Sequence, residues 1–252
     1  MDCGHEQTGA AENLLDKQKI PGHIAVIMDG NGRWARQRGL PRTAGHKAGA
    51  DALRAVARAA GELGVKAVTA YAFSTENWKR PAYEVNFLMN LLDLYLTGEI
   101  NNLNKENVRV VFSGDIAALP GKVREKAEKT VKITAPNTGL TLNLAVNYGG
   151  QAEIVRAANH IIRDKADGKI GDIEITVDLF AQYLYTASLP GLDLLIRTGG
   201  DMRVSNFLLW QAAYAEICFV DVFWPDFNKD GLCRAIYEYQ RRERRFGAIK
   251  DG

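Results

Sequence analysis

Short apolar runs alternate along the chain with longer stretches in which apolar residues return every three or four positions. That is the pattern of strands alternating with amphipathic helices. The run Ile24-Ala25-Val26-Ile27-Met28 predicts a buried strand. From Gly45 to Leu63, Ala48, Ala52, Val56, Ala59 and Leu63 fall at helical spacing, and Gly64 marks the end. Val65 to Phe73 reads as a second strand, closed by Ser74-Thr75-Glu76-Asn77-Trp78. Pro81 suits the first turn of a helix continuing to about Asn104. Strands are expected at Val108 to Phe112, Leu140 to Val146, Leu192 to Ile196 and Ile217 to Val220. Helices are expected over Leu119 to Thr134, Gln151 to Lys165, a short stretch after Thr176, Asn206 to about Ala215, and Asp230 to Phe246.

This β-α alternation predicts an α/β fold with a mostly parallel central sheet of about six strands, flanked by helices. No linker, repeat or low-complexity block divides the chain, so one domain is expected over 20–247. A polar, flexible extension is expected over 1–19 and a short tail over 248–252. Open parallel sheets bind ligands outside the carboxyl ends of their strands. Three polar clusters fall at such ends: Asp29 to Trp34, Ser74 to Arg80, and Arg197 to Ser205.

The predicted helix from Pro81 carries Val85, Phe87, Leu88, Met89, Leu91, Leu92, Leu94, Tyr95 and Leu96, leaving almost no polar face. A helix apolar all round is either simply buried or contacts a second subunit. The alternative is that one face lines an elongated apolar cavity suited to a hydrocarbon.

The first cluster, Asp29-Gly30-Asn31-Gly32-Arg33-Trp34, contains a conflict. Two glycines let the backbone turn and approach a ligand, and Arg33 offers a charge-assisted donor fork; both suit an anion. Asp29 would repel that anion unless a divalent cation lies between them, which points to a Mg²⁺-dependent phosphate or diphosphate site.

The formal net charge of +2 says little, but its distribution says more. Arg33, Arg36, Arg38, Arg42 and Lys47 cluster with His46 and no acid, and Arg241-Arg242-Glu243-Arg244-Arg245 forms a second basic run. Either is a solvated surface, or a site for nucleic acid or a membrane surface. Neither has the interleaved aromatics of a single-strand binder. Cys3, Cys218 and Cys233 form no metal-type spacing, and so sparse a set suits a reducing cytoplasm. The polar N-terminus is no signal peptide, and no apolar run approaches about 18 residues, so nothing spans a membrane.

Other phosphate chemistries fit poorly. Gly30-x-Gly32-x-x-Ala35 matches a loose dinucleotide pattern, but the second strand ends at Phe73-Ser74 without the required acid, and Asp51 lies inside a helix. There is no Walker A sequence, no His-Glu-x-x-His and no adjacent pair of aspartates. The Asp-rich metal signature of trans-type prenyl synthases is therefore absent.

The motifs resemble those of the cis-prenyltransferases, the undecaprenyl-diphosphate synthase family. His23 to Ala35 followed by Gly45-His46 resembles the first signature, and Tyr71-Ala72-Phe73-Ser74-Thr75-Glu76-Asn77-Trp78-Lys79-Arg80-Pro81 the second. Asn143 to Gly150 resembles the N-x-x-x-N-Y-G-G segment. Arg197 to Gln211, through Glu216 to Trp224-Pro225-Asp226, resembles the last. The likeness extends over about Ile20 to Gly247.

It implies condensation of an allylic diphosphate, typically farnesyl diphosphate, with isopentenyl diphosphate to form cis double bonds. A sheet with a hydrophobic tunnel, a homodimer, peripheral membrane contact at product release and no nucleic-acid partner are also implied. By this resemblance Asp29 and Glu216 hold Mg²⁺. Gly30, Asn31, Gly32 and Arg33 cradle the allylic diphosphate with Arg42, His46 and Arg80. Arg197, Arg203 and Ser205 bind isopentenyl diphosphate, while Trp34, Phe73 and Trp78 pack the isoprenoid chain. Ser74, Thr75, Glu76 and Val204 complete the implied binding set. Asn77 stands where the family's proton acceptor is often placed. A carboxamide is a very poor base, so Asn77 suits orienting or relaying, with His46 or the departing diphosphate as acceptor. Asp201-Met202 departs from the Glu-His of many bacterial members, and Arg245-Phe246-Gly247 resembles a tail that reaches a partner subunit.

Overall fold

The structure is a computed structural model, and it describes residues 11–171 and 173–242. Strands β1 (His23–Ile27), β2 (Ala67–Ser74), β3 (Arg109–Ser113), β4 (Thr141–Tyr148), β5 (Leu194–Thr198) and β6 (Glu216–Val220) form one sheet. Its order is β3-β4-β2-β1-β5-β6 and every pairing is parallel. The chain builds outward from β1 to β3, then returns to the other side of β1 through β5. The carboxyl ends of β1 and β5 therefore flank a topological switch point, where a ligand crevice opens.

The helices are α1 (Asn31–Gln37), α2 (Arg42–Glu62), α3 (Ala82–Lys105), α4 (Gly121–Thr134), α5 (Gly150–Ala166), α6 (Val177–Ala181) and α7 (Lys229–Arg241). Thr176 caps the short α6 by accepting from the Leu179 amide. The expected extension of α7 to Phe246 and the Arg245-Phe246-Gly247 tail run beyond the described residues, which end at 242. Residues 11–19 form two short 3-10 turns, tied to α7 by Gln240 on Asp16 and Lys19 and by Lys229 on Glu12.

Alternation along the strands separates two faces. Ile24, Val26, Val68, Ala70, Leu142, Leu144, Leu194 and Ile196 join α2, α3, α4 and α7 in the larger core. The opposite face is more polar. His23 Nε2 lies 2.7 Å from Thr69 Oγ1, and Asn143 Nδ2 donates to Thr69 Oγ1 and Ser113 Oγ. This buried track crosses four strands with its groups paired, as burial requires.

Three expectations change. Asn31–Gln37, read as a glycine turn, is helix α1: Gly30, at φ 104°, absorbs the reversal and the helix starts at the next residue. Asn206 to Ala215 is not an α-helix. Ser205, Asn206 and Leu208 all have left-handed backbone, and only a 3-10 turn at Gln211–Tyr214 remains. The near-continuous apolar face of α3 hides three buried acids, Glu84, Asp93 and Glu99, each paired with a base from another segment, while Tyr83 and Leu94 face outward.

Gly45 lets α2 lie against α1, since a Cβ there would collide with the Asn31 carbonyl. Gly45→Ala is expected to cost about 1–3 kcal/mol by overpacking, read as a lowered urea midpoint at unchanged slope.

Candidate active site

A cavity of about 760 Å³ opens at the carboxyl ends of β1, β2 and β5. All three polar clusters reach it. Asp29, Gly30, Asn31, Gly32 and Arg33 come from the β1–α1 junction, and Arg42 and His46 from the start of α2. Ser74, Glu76, Asn77 and Arg80 follow β2, and Arg197, Arg203 and Ser205 come from β5 and the segment after it.

At its centre the charges alternate in a closed ring. Arg197 Nη2 donates to Asp29 Oδ2 at 2.7 Å and lies 3.4 Å from Asp201 Oδ2. Arg33 Nη2 is 3.2 Å from Asp29 Oδ1 and 3.6 Å from Asp201 Oδ2, and Arg203 also reaches Asp201, at 2.6 Å. Arg197 is buried, and its other terminal nitrogen donates to the Arg203 carbonyl and the Ser205 hydroxyl. Burial pushes the Asp29 carboxyl up, but the Arg197 and Arg33 guanidinia and the Gly30 amide outweigh it and hold the group below its ordinary value.

A second convergence lies on buried Glu84. Its Oε1 accepts from Arg80 at 2.8 Å and is 3.2 Å from Arg42 Nε. His46 Nε2 stands 3.6 Å away, too far for a hydrogen bond. Burial, aided by the charges of Arg42 and Arg80 and only partly opposed by Glu84, lowers His46 to about 4. The imidazole is therefore neutral near pH 7, and its basicity is reduced. Because the folded value lies below the unfolded one, His46 contributes stability above about pH 6.5, lost as pH falls towards 4. His46→Gln is expected to flatten the stability–pH curve in that window, as measured by urea titrations at successive pH values.

An apolar cavity of about 100 Å³ adjoins the charged one and shares Met28, Asn31, His46, Ala72 and Leu88 with it. It continues between α2 and α3 past Leu53, Leu92 and Tyr95 to Phe73, Leu144 and Trp224. The sheet's alternation produces this division. Ala72 faces the apolar core, whereas its neighbour Tyr71 lines the charged cavity alone.

The segment after β5 is held from beneath. Phe207 is fully buried, stacked on Tyr71 at 4.3 Å and edge-on to Tyr148. Tyr148 donates to Glu153 at 2.5 Å, and Glu153 also accepts from the Tyr185 amide and Gln211 Nε2. Glu76 accepts from Asn206 Nδ2, joining the second and third clusters. Sequence reasoning missed Glu84, Glu153, Phe207 and Asn206 as parts of the site. An acid within an apolar helical run was the available signal for the first.

Five expected site residues lie outside the cavity lining. Trp34 donates to Asp226 and carries Arg38 on its ring, latching α1 to the 3-10 turn at Trp224–Asp226. Trp78 donates to Asn147 and packs edge-on against Phe73. Thr75 sits over Gly149, and Val204 packs with the smaller core. Glu216 begins β6, level with Leu194 and thus at the opposite end of the sheet, where it pairs with Arg242. Within one chain Asp29 and Glu216 are not brought together. Among the described residues no three His, Cys, Asp or Glu side chains converge on a common ion position.

The chain is similar to known proteins. A family model described as "Putative undecaprenyl diphosphate synthase" matches residues 27–247. A Heliobacterium mobile protein named "Isoprenyl transferase" is 51% identical over 251 residues, covering 98% of this chain and 96% of that protein. A Bacillus subtilis protein of the same name is 51% identical over 238 residues, covering 94% and 91%. The crystal structure of lavandulyl diphosphate synthase from Lavandula x intermedia in complex with dimethylallyl diphosphate superposes with a TM-score of 0.88. It is 33% identical and covers 91% of this chain and 99% of that one. A "probable undecaprenyl diphosphate synthase" from Campylobacter jejuni gives a TM-score of 0.75 at 36% identity, covering 90% and 98%.

Proposed function

Because the chain belongs to the undecaprenyl diphosphate synthase family and is a cis-prenyltransferase, we propose that it condenses isopentenyl diphosphate onto farnesyl diphosphate. The product in this reading is a polyprenyl diphosphate of undecaprenyl length, serving as a cell-wall lipid carrier. The observation that carries the reading is the shared mouth of the charged and apolar cavities. It suits a molecule with a diphosphate head and a hydrocarbon tail.

In this reading Arg33, Arg42 and Arg80 grip the allylic diphosphate, while Arg197, Arg203 and Ser205 grip the isopentenyl one; guanidinium forks suit phosphate edges. As the allylic C–O bond breaks, charge grows on the departing diphosphate, and guanidinia already in place stabilise it without reorganising. The apolar cavity takes the prenyl chain and excludes water from the cationic carbon. Its volume of about 100 Å³ is small for a ligand pocket, so chain growth requires α3 to move away from α2. The proton released at the new double bond passes to the departing diphosphate or to His46, with the lowered basicity of His46 favouring the diphosphate. Asn77 positions this segment: its Oδ1 accepts from the Ser74 amide and closes a capping box on the turn that carries Glu76.

The residues fit Mg²⁺. Asp29 offers a hard carboxylate among phosphate-binding groups, and Mg²⁺ is commonly held by one or two carboxylates with phosphate oxygens and water. When bound, Mg²⁺ neutralises charge on the departing diphosphate. A homodimer and a cytoplasmic location belong to the same reading. Edge strand β6, half-buried throughout, offers a surface for a second copy, and free Cys218 and Cys233 suit a reducing compartment. No helix among the described residues is long and apolar enough to cross a membrane. Membrane contact in this reading is peripheral.

The test mixes purified protein, farnesyl diphosphate, labelled isopentenyl diphosphate and Mg²⁺, and measures the length of labelled lipid. No labelled lipid with any divalent metal overturns the reading. In the same assay Asn77→Ala is expected to lower turnover about tenfold or more through the loosened turn, as misplacement at a reacting centre does. Unchanged turnover removes Asn77 from the mechanism.

A further inference from the structure

The ionic ring leaves little room for a cation that arrives alone. Both oxygens of Asp29 are engaged. Oδ1 accepts from the Gly30 amide at 2.7 Å and faces Arg33, and Oδ2 accepts from Arg197 at 2.7 Å. Arg197 is held in this pose while the site is without substrate. It is buried, its Nη1 donates to the Arg203 carbonyl and to Ser205, and the Nη2 that faces Asp29 also lies 3.4 Å from Asp201. The ring and Arg203 place three guanidinia around two carboxylates, so the local balance is positive before any substrate arrives. A divalent cation approaching alone meets that charge, and the one carboxylate it could use is occupied.

We infer that Arg197 is also a positioning residue which, together with Arg33, keeps Asp29 closed to divalent cations until a diphosphate arrives. This rests on the diphosphate reading of the site. A diphosphate reverses each obstacle. Oxygens of the allylic diphosphate draw Arg33 off Asp29 and those of the isopentenyl diphosphate draw Arg197, the added negative charge inverts the local balance, and the phosphates supply the further oxygen ligands that the protein lacks. Cation and diphosphate then bind with positive coupling, and by linkage each strengthens the other by the same factor. The buried Nε of Arg197 has no hydrogen-bond partner, so the side chain retains a donor for an incoming oxygen when it turns.

The arrangement also sets the order of events. A cation seated first would be lost to solvent or hold the wrong partners. A diphosphate seated first finds its guanidinia already gathered and releases the carboxylate where the metal is needed.

Binding of Mn²⁺, read by the loss of its free electron-paramagnetic-resonance signal, tests this without turnover. Three samples are compared: protein alone, a non-reactive allylic thiodiphosphate with isopentenyl diphosphate, and the protein with both, the second correcting for metal held by the ligands themselves. The expected result is negligible Mn²⁺ binding by the protein alone and at least tenfold tighter binding in the mixture. Arg197→Gln and Arg33→Gln are each expected to raise Mn²⁺ binding in the absence of diphosphate, and Asp29→Asn to remove the gain in the mixture. Arg33 is partly exposed, so its variant serves if the buried Arg197 variant does not fold, as judged by circular dichroism. Mn²⁺ bound as tightly without diphosphate as with it overturns the inference while leaving the diphosphate reading intact. Folded variants that gain nothing overturn it equally. Failure of the thiodiphosphate to bind, measured calorimetrically with or without metal, instead overturns the functional reading on which it rests.

Discussion

Asp29→Asn is expected to lower the condensation rate constant by about 10³-fold, close to 4 kcal/mol of transition-state stabilisation. The substitution keeps the size of the side chain and removes only its charge. The fold should survive it. Asp29 is a partly exposed residue at the cavity edge, and Asp201 remains 3.4 Å from Arg197 to balance the buried guanidinium. The Michaelis constant of the diphosphate held with the cation is expected to rise by no more than the roughly tenfold coupling lost with the metal, far less than the fall in rate. An unchanged melting temperature tells a lost catalytic role from a damaged site, since damage would lower thermal stability as well. Steady-state kinetics with labelled isopentenyl diphosphate, alongside a melting curve, checks it. A rate within tenfold of the parent removes Asp29 from the centre of the mechanism.

Trp224→Ala is expected to cost about 4 kcal/mol of stability, at the upper end for a buried aromatic. The indole is fully buried, stacked on Phe227, and donates from Nε1 to the Gly49 carbonyl at 2.8 Å. It also forms part of the wall of the apolar cavity. Its removal takes a second donor from a carbonyl of α2 and leaves a void beside an existing one, where little can collapse inward. For a chain of this size the melting temperature is expected to fall by roughly 8–16 °C. Trp224→Phe restores the packing but not the hydrogen bond, and is expected to recover all but about 1–2 kcal/mol. Differential scanning calorimetry of the two variants separates the contributions. Equal losses would show that the hydrogen bond, not the volume, holds this corner.

Much of this was legible in the sequence because local rules and tertiary structure agree. The strand run Ile24 to Ile27 is buried on both faces, so an unbroken apolar string suffices to mark it. The parallel sheet and the strand-end placement of the three clusters follow from β-α alternation. Where tertiary contacts override local preference, the sequence misleads. Asn206 to Ala215 has helical composition, but Phe207 is drawn between Tyr71 and Tyr148, and the backbone turns left-handed to deliver it. Glu84 reads as an incidental acid in an apolar helix. Only the approach of Arg42 from α2 makes it a hub. Trp34 shows the opposite failure. Its place beside Arg33 suggests ligand contact, yet it starts a helix turn that points it at Asp226, 192 residues away.

The central ring joins positions far apart along the chain. Asp29 and Arg197 are separated by 168 residues, and β5 follows β4 along the chain. During synthesis, the glycine-rich junction and Arg33 emerge long before the segment that balances them. A growing chain therefore carries half a cradle, with Asp29 answered by Arg33 alone. Since long-range pairing is the slow part of folding, the competence of this enzyme is decided at its last central strand, when a late arginine meets an early aspartate.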